Sequence, residues 1–336
     1  MKTFIKKFTE ITGPSGNEAQ IRAAIRDEIK PFADKVHVDN LGNLIVQKGQ
    51  RTAKGKKIML AAHMDEIGIM ATHIDERGYI RFLPIGGVNP VTCTGGRVRF
   101  LNGVQGVIYA ERRDDPKKVP SFEQLFIDVG AANHKDCPVR VGDVAAFDRP
   151  MLDLGKRLVA KAMDDRIGVA VLVETLRQIH TQKVKTPHEI LFVFSVQEEV
   201  GLRGATTAAF GADPDLGLSV DVTLCGDTPR GVKMEVSLGK GPAIKVRDSS
   251  MLSDPRVVKW MVKTAEKASL PYQLEVLEMG GTDAHAIQLT HAGVPAGCLS
   301  IPCRYVHSPS EMVDYDDVQN AVQLMVALLG QPVELE

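Results

Sequence analysis

Hydrophobic and polar positions along this chain follow two textures, which change near residues 68 and 155. In the first stretch, Ile21, Ile25 and Ile29 recur at four-residue spacing behind Ser15-Gly16-Asn17-Glu18. That pattern predicts a helix with one apolar stripe, opened by a capping box. Asp39 to Asn43 marks a turn between two short strands. Lys57 to Ala62 is a nearly continuous apolar run, the pattern of a buried strand, ending at His63. Residues 69–154 break into short Val/Ile/Arg runs separated by Gly and Pro, with Asn102-Gly103 as a hairpin turn.

From residue 155 the helix and strand periods alternate again. Ile167 to Ile179 predicts a long helix behind Asp164-Asp165-Arg166, and Ile190 to Val196 an apolar strand running into Gln197-Glu198-Glu199. Leu218-Ser219-Val220 leads into Asp221. Ser253-Asp254-Pro255 caps a helix that reaches Lys267, and Ala296 to Ile301 reads as a strand. Asp316 or Asp317 opens a last helix, closed by Gly330 and Pro332. The expected fold is α/β: a mixed-sheet α/β/α domain built from residues 1–68 and 155–336, with a small all-β domain inserted at 69–154.

Composition narrows the partners. The 336 residues carry 41 Lys+Arg against 42 Asp+Glu, a formal net charge of −1, which supplies no field for nucleic acid. No segment approaches the about 20 apolar residues of a membrane helix. The opening MKTFIKKFTEITG is interrupted by Lys6, Lys7 and Glu10 and lacks a signal-peptide core. Five cysteines, odd in number and without a CxxC pair, fit reduced thiols. The expectation is a cytoplasmic protein with neither a nucleic-acid nor a membrane partner.

The candidate chemistry lies in acids and histidines at strand ends, where open α/β sheets present ligand sites. These are His63 with Asp65, the pair Glu198-Glu199, Asp221, and His307 after Cys303 to Val306; Asp164 opens a helix in the same alternation. Asp65 is placed to orient a ligating His63. Adjacent carboxylates ending an apolar strand call for a cation or a proton. Carboxylates and imidazoles without thiolate suit zinc, cobalt or manganese. A metal pair sharing one carboxylate uses this inventory and leaves one acid free as general base. Glu198 and Glu199 on an extended chain project to opposite sides, a poor pair for glycoside hydrolysis. No GxSxG, GxxxxGK[ST] or GxGxxG motif is present.

Six segments in order carry a family resemblance: Ala61 to Gly68, Lys161 to Arg166, Gln197 to Gly201, Val220 to Thr223, Gly280 to Ala284, and Arg304 to Pro309. On these the chain resembles the glutamyl/deblocking metallo-aminopeptidases, the tetrahedral (TET-type) family, over nearly its whole length. The resemblance implies two divalent metal ions per subunit, zinc or cobalt first and manganese next, sharing Asp164. One ion would be held by His63, Asp164 and Asp221, the other by Asp164, Glu199 and His307. Glu198 would be the general base toward a water between the ions, and Asp65 the carboxylate orienting His63. Gly281, Thr282 and His285 are candidates for substrate contact.

The activity implied is removal of N-terminal amino acids from peptides with a free N-terminus. A related N-acyl amino acid deacylase and, more remotely, a glycanase-labelled relative are the alternatives. The family also implies a PDZ-like or barrel-like inserted domain that helps build a homo-oligomer, with a dimer as building block and a tetrahedral dodecamer as the larger form. Gln197 stands where many relatives have a small residue.

Overall fold

The structure is a computed structural model, and it describes residues 1–115 and 117–335. Among these, eleven strands form one mixed sheet, and six more close into a barrel. Four parallel strands make the centre of the sheet, in the order Glu189–Ser195, Lys57–His63, Leu216–Thr223, Ala296–Arg304. Antiparallel strands flank them, Leu44–Lys48 and Lys35–Val38 on one side and Glu311–Asp314, Arg157–Ala160 and Leu152–Asp153 on the other.

The nearly continuous apolar run at Lys57–His63 reflects burial on both faces of the sheet. Ile58, Leu60 and Ala62 join the large core, which contains the helices Lys2–Glu10, Ala19–Ile29, Met163–Thr181, Pro255–Lys267 and Tyr315–Leu329. The alternate residues Met59 and Ala61 pack on the other face with Ala208, Ala209 and Ile287, from the helices Arg203–Ala212 and Asp283–Gln288. Helix layers on both faces give the α/β/α sandwich. None of these helices is long and apolar enough to cross a membrane.

The barrel runs in the order Gly68–Ile74, Ile80–Ile85, Leu125–Asp128, Gln105–Ala110, Arg97–Phe100, Val144–Phe147, and closes onto the first strand. Its interior is Ile69, Ala71, Phe82, Val98, Phe100, Ile108, Ile127 and Phe147. Asn102-Gly103 turns the Arg97–Phe100 and Gln105–Ala110 hairpin, with Gly103 at φ +90°. Closure leaves no open edge in this module.

One predicted cap is not made. The second helix begins at Ala19, with no side-chain bond at its start. The Ser15 hydroxyl donates instead to Asp65 Oδ2 at 2.6 Å, and Glu18 Oε1 accepts the N–H groups of Gly16 at 2.6 Å and Gln197 at 3.2 Å. A buried carboxylate at the end of a neighbouring strand competes successfully for the serine that would otherwise cap the helix. The long helix also starts differently: Asp164 and Asp165 are out of helical conformation, and Asp165 Oδ1 caps the regular part by accepting Gly168 N–H at 3.0 Å.

Candidate metal centre

The parallel register brings the expected strand ends together. His63 lies opposite Ser195, so the chain leaving Ser195 delivers Glu198 and Glu199 beside it. Asp221, on the strand beside that of His63, pairs with Ser300 on the next strand, and the chain beyond Arg304 returns His307 over the same end. His63, Asp164, Glu198, Glu199, Asp221 and His307 all line one cavity of about 530 Å3.

Asp164 sits at its middle. Its Oδ1 is 3.0 Å from His63 Nε2, and its Oδ2 is 3.3 Å from His307 Nε2. His307 Nε2 is also 3.3 Å from Glu199 Oε2, and Glu198 Oε2 lies 3.9 Å from His63 Nε2. Among the described residues, two groups have donor atoms within 4.8 Å of one another: His63, Asp164 and Glu199, and His63, Asp165 and Asp221. The second brings in Asp165, which the motif reading did not use as a donor; its Oδ2 is buried without a hydrogen-bond partner.

The chain belongs to the family that this site suggests. The M42 glutamyl aminopeptidase family matches residues 42–324. The lysyl aminopeptidase of Pyrococcus furiosus is 37% identical over 344 residues, covering 97% of this chain and 96% of its own. An aminopeptidase of the archaeon Desulfurococcus kamchatkensis superposes with a TM-score of 0.93 at 41% identity, over 98% of this chain and 94% of its own. The Pyrococcus horikoshii TET1 peptidase, which can assemble into a tetrahedron or a large octahedral shell, gives 0.89 at 35% over 98% of each chain. This chain is a member of the M42 glutamyl aminopeptidase family.

In this M42 member the electrostatics of the cavity call for cations. Burial pushes Glu198 well above the usual carboxylate range, aided by Asp221, Asp283 and Glu199 and opposed by His63. Burial likewise raises Glu199 and Asp221, in both cases with Asp164 adding to it. Burial works against protonation of His307, yet Asp164 and Glu199 push its pKa up to about 11. Burial opposes protonation of His63 too, and Glu198, Asp164 and Asp65 overcome it. The carboxylates around both imidazoles thus favour positive charge at this place. Glu199 Oε1 is also buried with no hydrogen-bond partner. An unpartnered oxygen in a carboxylate and imidazole set fits a divalent metal.

The remaining expected residues fall in different places. Asp65 meets His63 Nδ1 through its backbone carbonyl at 3.1 Å, with its carboxylate at 3.5 Å. That carboxylate serves the neighbouring loop: Oδ1 accepts Glu198 N–H at 3.0 Å and Oδ2 accepts Glu199 N–H at 3.2 Å. Gly281 lines the cavity beside Gly280. Thr282 is buried; its hydroxyl accepts Ala284 N–H at 3.3 Å and meets Ser219 Oγ at 3.1 Å, so it caps a helix away from the cavity. His285, expected near substrate, instead lines a separate groove with Leu202, Phe210 and His291. It lies on the far side of the short helix, whose start is held inward by Thr282 and by Asp283 bonded to Ser195.

The motif reading also missed supports of the site. Arg166 is fully buried and donates to the carbonyls of Phe8 at 2.7 Å and Gly13 at 3.3 Å, tying the N-terminal segment to the helix start that carries Asp164 and Asp165. Gly86 and Gly87, just beyond a barrel strand, lie against Glu199 and His307. A Cβ on Gly87 would strike the His307 ring, and one on Gly86 would stand 3.1 Å from Glu199 Cβ. Only the pair of adjacent glycines marked this place in the sequence.

Proposed function

We propose that this chain is a metal-dependent aminopeptidase that removes N-terminal amino acids from peptides. The observation that carries the reading is the divided carboxylate of Asp164, with one oxygen facing His63 and the other facing His307. This is the arrangement a carboxylate shared between two cations requires. His63 and Asp221 would hold one ion with Asp164, Glu199 and His307 the other, and Asp165 stands close to the first set. Zinc or cobalt suits these donors best, with manganese next. Two ions so held would supply Lewis acidity toward the scissile carbonyl and toward water.

The protein's own groups do the rest. Glu198 is the general base: its desolvated carboxylate takes a proton from the attacking water and returns it to the leaving amine. Asp65 fixes the backbone on which Glu198 rides. Val222, Leu224, Leu277, Met279 and Val306 give the cavity an apolar wall for the side chain of the residue being removed. Lys245 also lines it, with its charge committed to Glu275 at 2.5 Å.

The test is a panel of aminoacyl and N-acetyl-aminoacyl anilides with metal-reconstituted protein. Release from free-amine substrates alone, abolished by chelator, is expected. Release of acetate from the acetylated set, with the anilide bond left intact, would make the protein a deacylase and overturn the reading, as would release of reducing sugar from glycans without peptide cleavage.

We also propose a cytoplasmic homo-oligomer. None of the five cysteines is disulfide-bonded, as reduced thiols would be. The assembly of the Pyrococcus horikoshii relative supports the oligomer, in which the barrel of this chain would contribute contacts. A native mass measurement tests it, and a monomer at micromolar concentration would sink it.

A further inference from the structure

Glu311 opens the strand Glu311–Asp314 and is 2% exposed. Its two oxygens go to two different backbone groups. Oε1 accepts the N–H of His307 at 2.8 Å, and Oε2 accepts the N–H of Asp164 at 3.0 Å, 147 residues away in sequence. Pairing of Cys303 with Val313 and Arg304 with Met312 folds this strand back across the His307 loop, which brings the carboxylate under both amides.

The loop needs such an anchor. Tyr305 and His307 have φ of +63° and +61°, a left-handed conformation that residues with side chains rarely adopt. Charge-assisted bonds to a buried carboxylate are stronger than neutral ones, and one of them falls on His307 itself. Asp65 makes the matching arrangement on the other side of the cavity, holding the amides of Glu198 and Glu199. Two buried acids therefore grip the backbone of four site residues while their own oxygens remain on amides.

We infer that Glu311 is a positioning residue that sets the separation of Asp164 and His307, and so the geometry of the His307-side ion site. The inference rests on the two-ion reading above. An amide in its place keeps one acceptor oxygen and turns its NH2 toward a backbone N–H, donor against donor. His63 and Asp221 are carried by their own strands and stay in place.

The experiment is a Co(II) titration of chelator-stripped protein, comparing Glu311→Gln and Glu311→Asp with the unaltered chain. Visible absorption and elemental analysis read the bound metal, and circular dichroism reads the fold. The unaltered chain should take two equivalents. Glu311→Gln should bind both equivalents more weakly, since Asp164 serves both ions, and the His307-side one most, by about 10- to 100-fold, with kcat reduced more than KM is raised. Glu311→Asp keeps the charge but reaches only one amide, and the same split is expected. If Glu311→Gln does not fold, Glu311→Asp decides.

Two equivalents bound with unaltered affinities by the folded variant overturn the inference. An unaltered chain that binds two ions yet cleaves no aminoacyl substrate would refute the activity while leaving the positioning role to the titration.

Discussion

The carboxylate of Asp65 accepts the backbone N–H of Glu198 at 3.0 Å, joining residues 133 apart in sequence. The general base proposed here is thus located by another residue's acid, and its own side chain stays free to move a proton. Ser15 supports the same acid from behind, at 2.6 Å.

Asp65→Asn should leave both ion sites filled but lower kcat by about 10- to 100-fold, because an amide can accept only one of the two N–H groups. Steady-state kinetics beside metal analysis measures this. Unchanged kcat would mean that the Glu198 loop holds itself.

Glu198→Gln removes the proton carrier without changing its size. Turnover should fall by about 10²- to 10⁴-fold, with metal content and substrate affinity near their original values. Near-normal turnover would assign the base elsewhere.

Gly87→Ala presses a methyl group against the His307 ring. Crowding of this kind costs about 1–3 kcal/mol where the surroundings cannot yield. Lower activity and weaker binding of one metal equivalent are expected, together with a reduced Tm. A fully active variant would show that the barrel rim yields freely.

Chelation should lower the Tm, since Asp164, Asp165, Glu199 and Asp221 are then left facing one another. At free metal 100-fold above Kd, each site adds about 2.7 kcal/mol of stability. Calorimetry with and without metal reads the difference. Asp164→Ala should lose most of that metal-dependent increment, because both sites share this residue; retention of two tightly bound ions would disprove the sharing.

Much of this was legible before folding. Doubly buried strands read as unbroken apolar runs, as at Lys57–His63 and Glu189–Ser195, and parallel strands present their following residues on one side. His63, Glu198, Glu199, Asp221 and His307 could therefore be placed near one another from pattern and spacing. The switch to short runs with Gly and Pro after residue 68 likewise announced a β module, because turns interrupt the chain every few residues there.

Contacts between distant segments decided the rest. Ser15 and Glu18 have the spacing of a capping box, yet their side chains serve Asp65 and Gln197, which local periodicity cannot reveal. Glu311 carries no motif of its own, and its role exists only where sheet pairing brings it beneath Asp164 and His307. The adjacent glycines at 86 and 87 could have been an ordinary turn until the barrel rim met the His307 ring. Sequence pattern reports periods of two and 3.6 and the residues at element ends; which buried acid reaches which amide depends on how the elements close on one another.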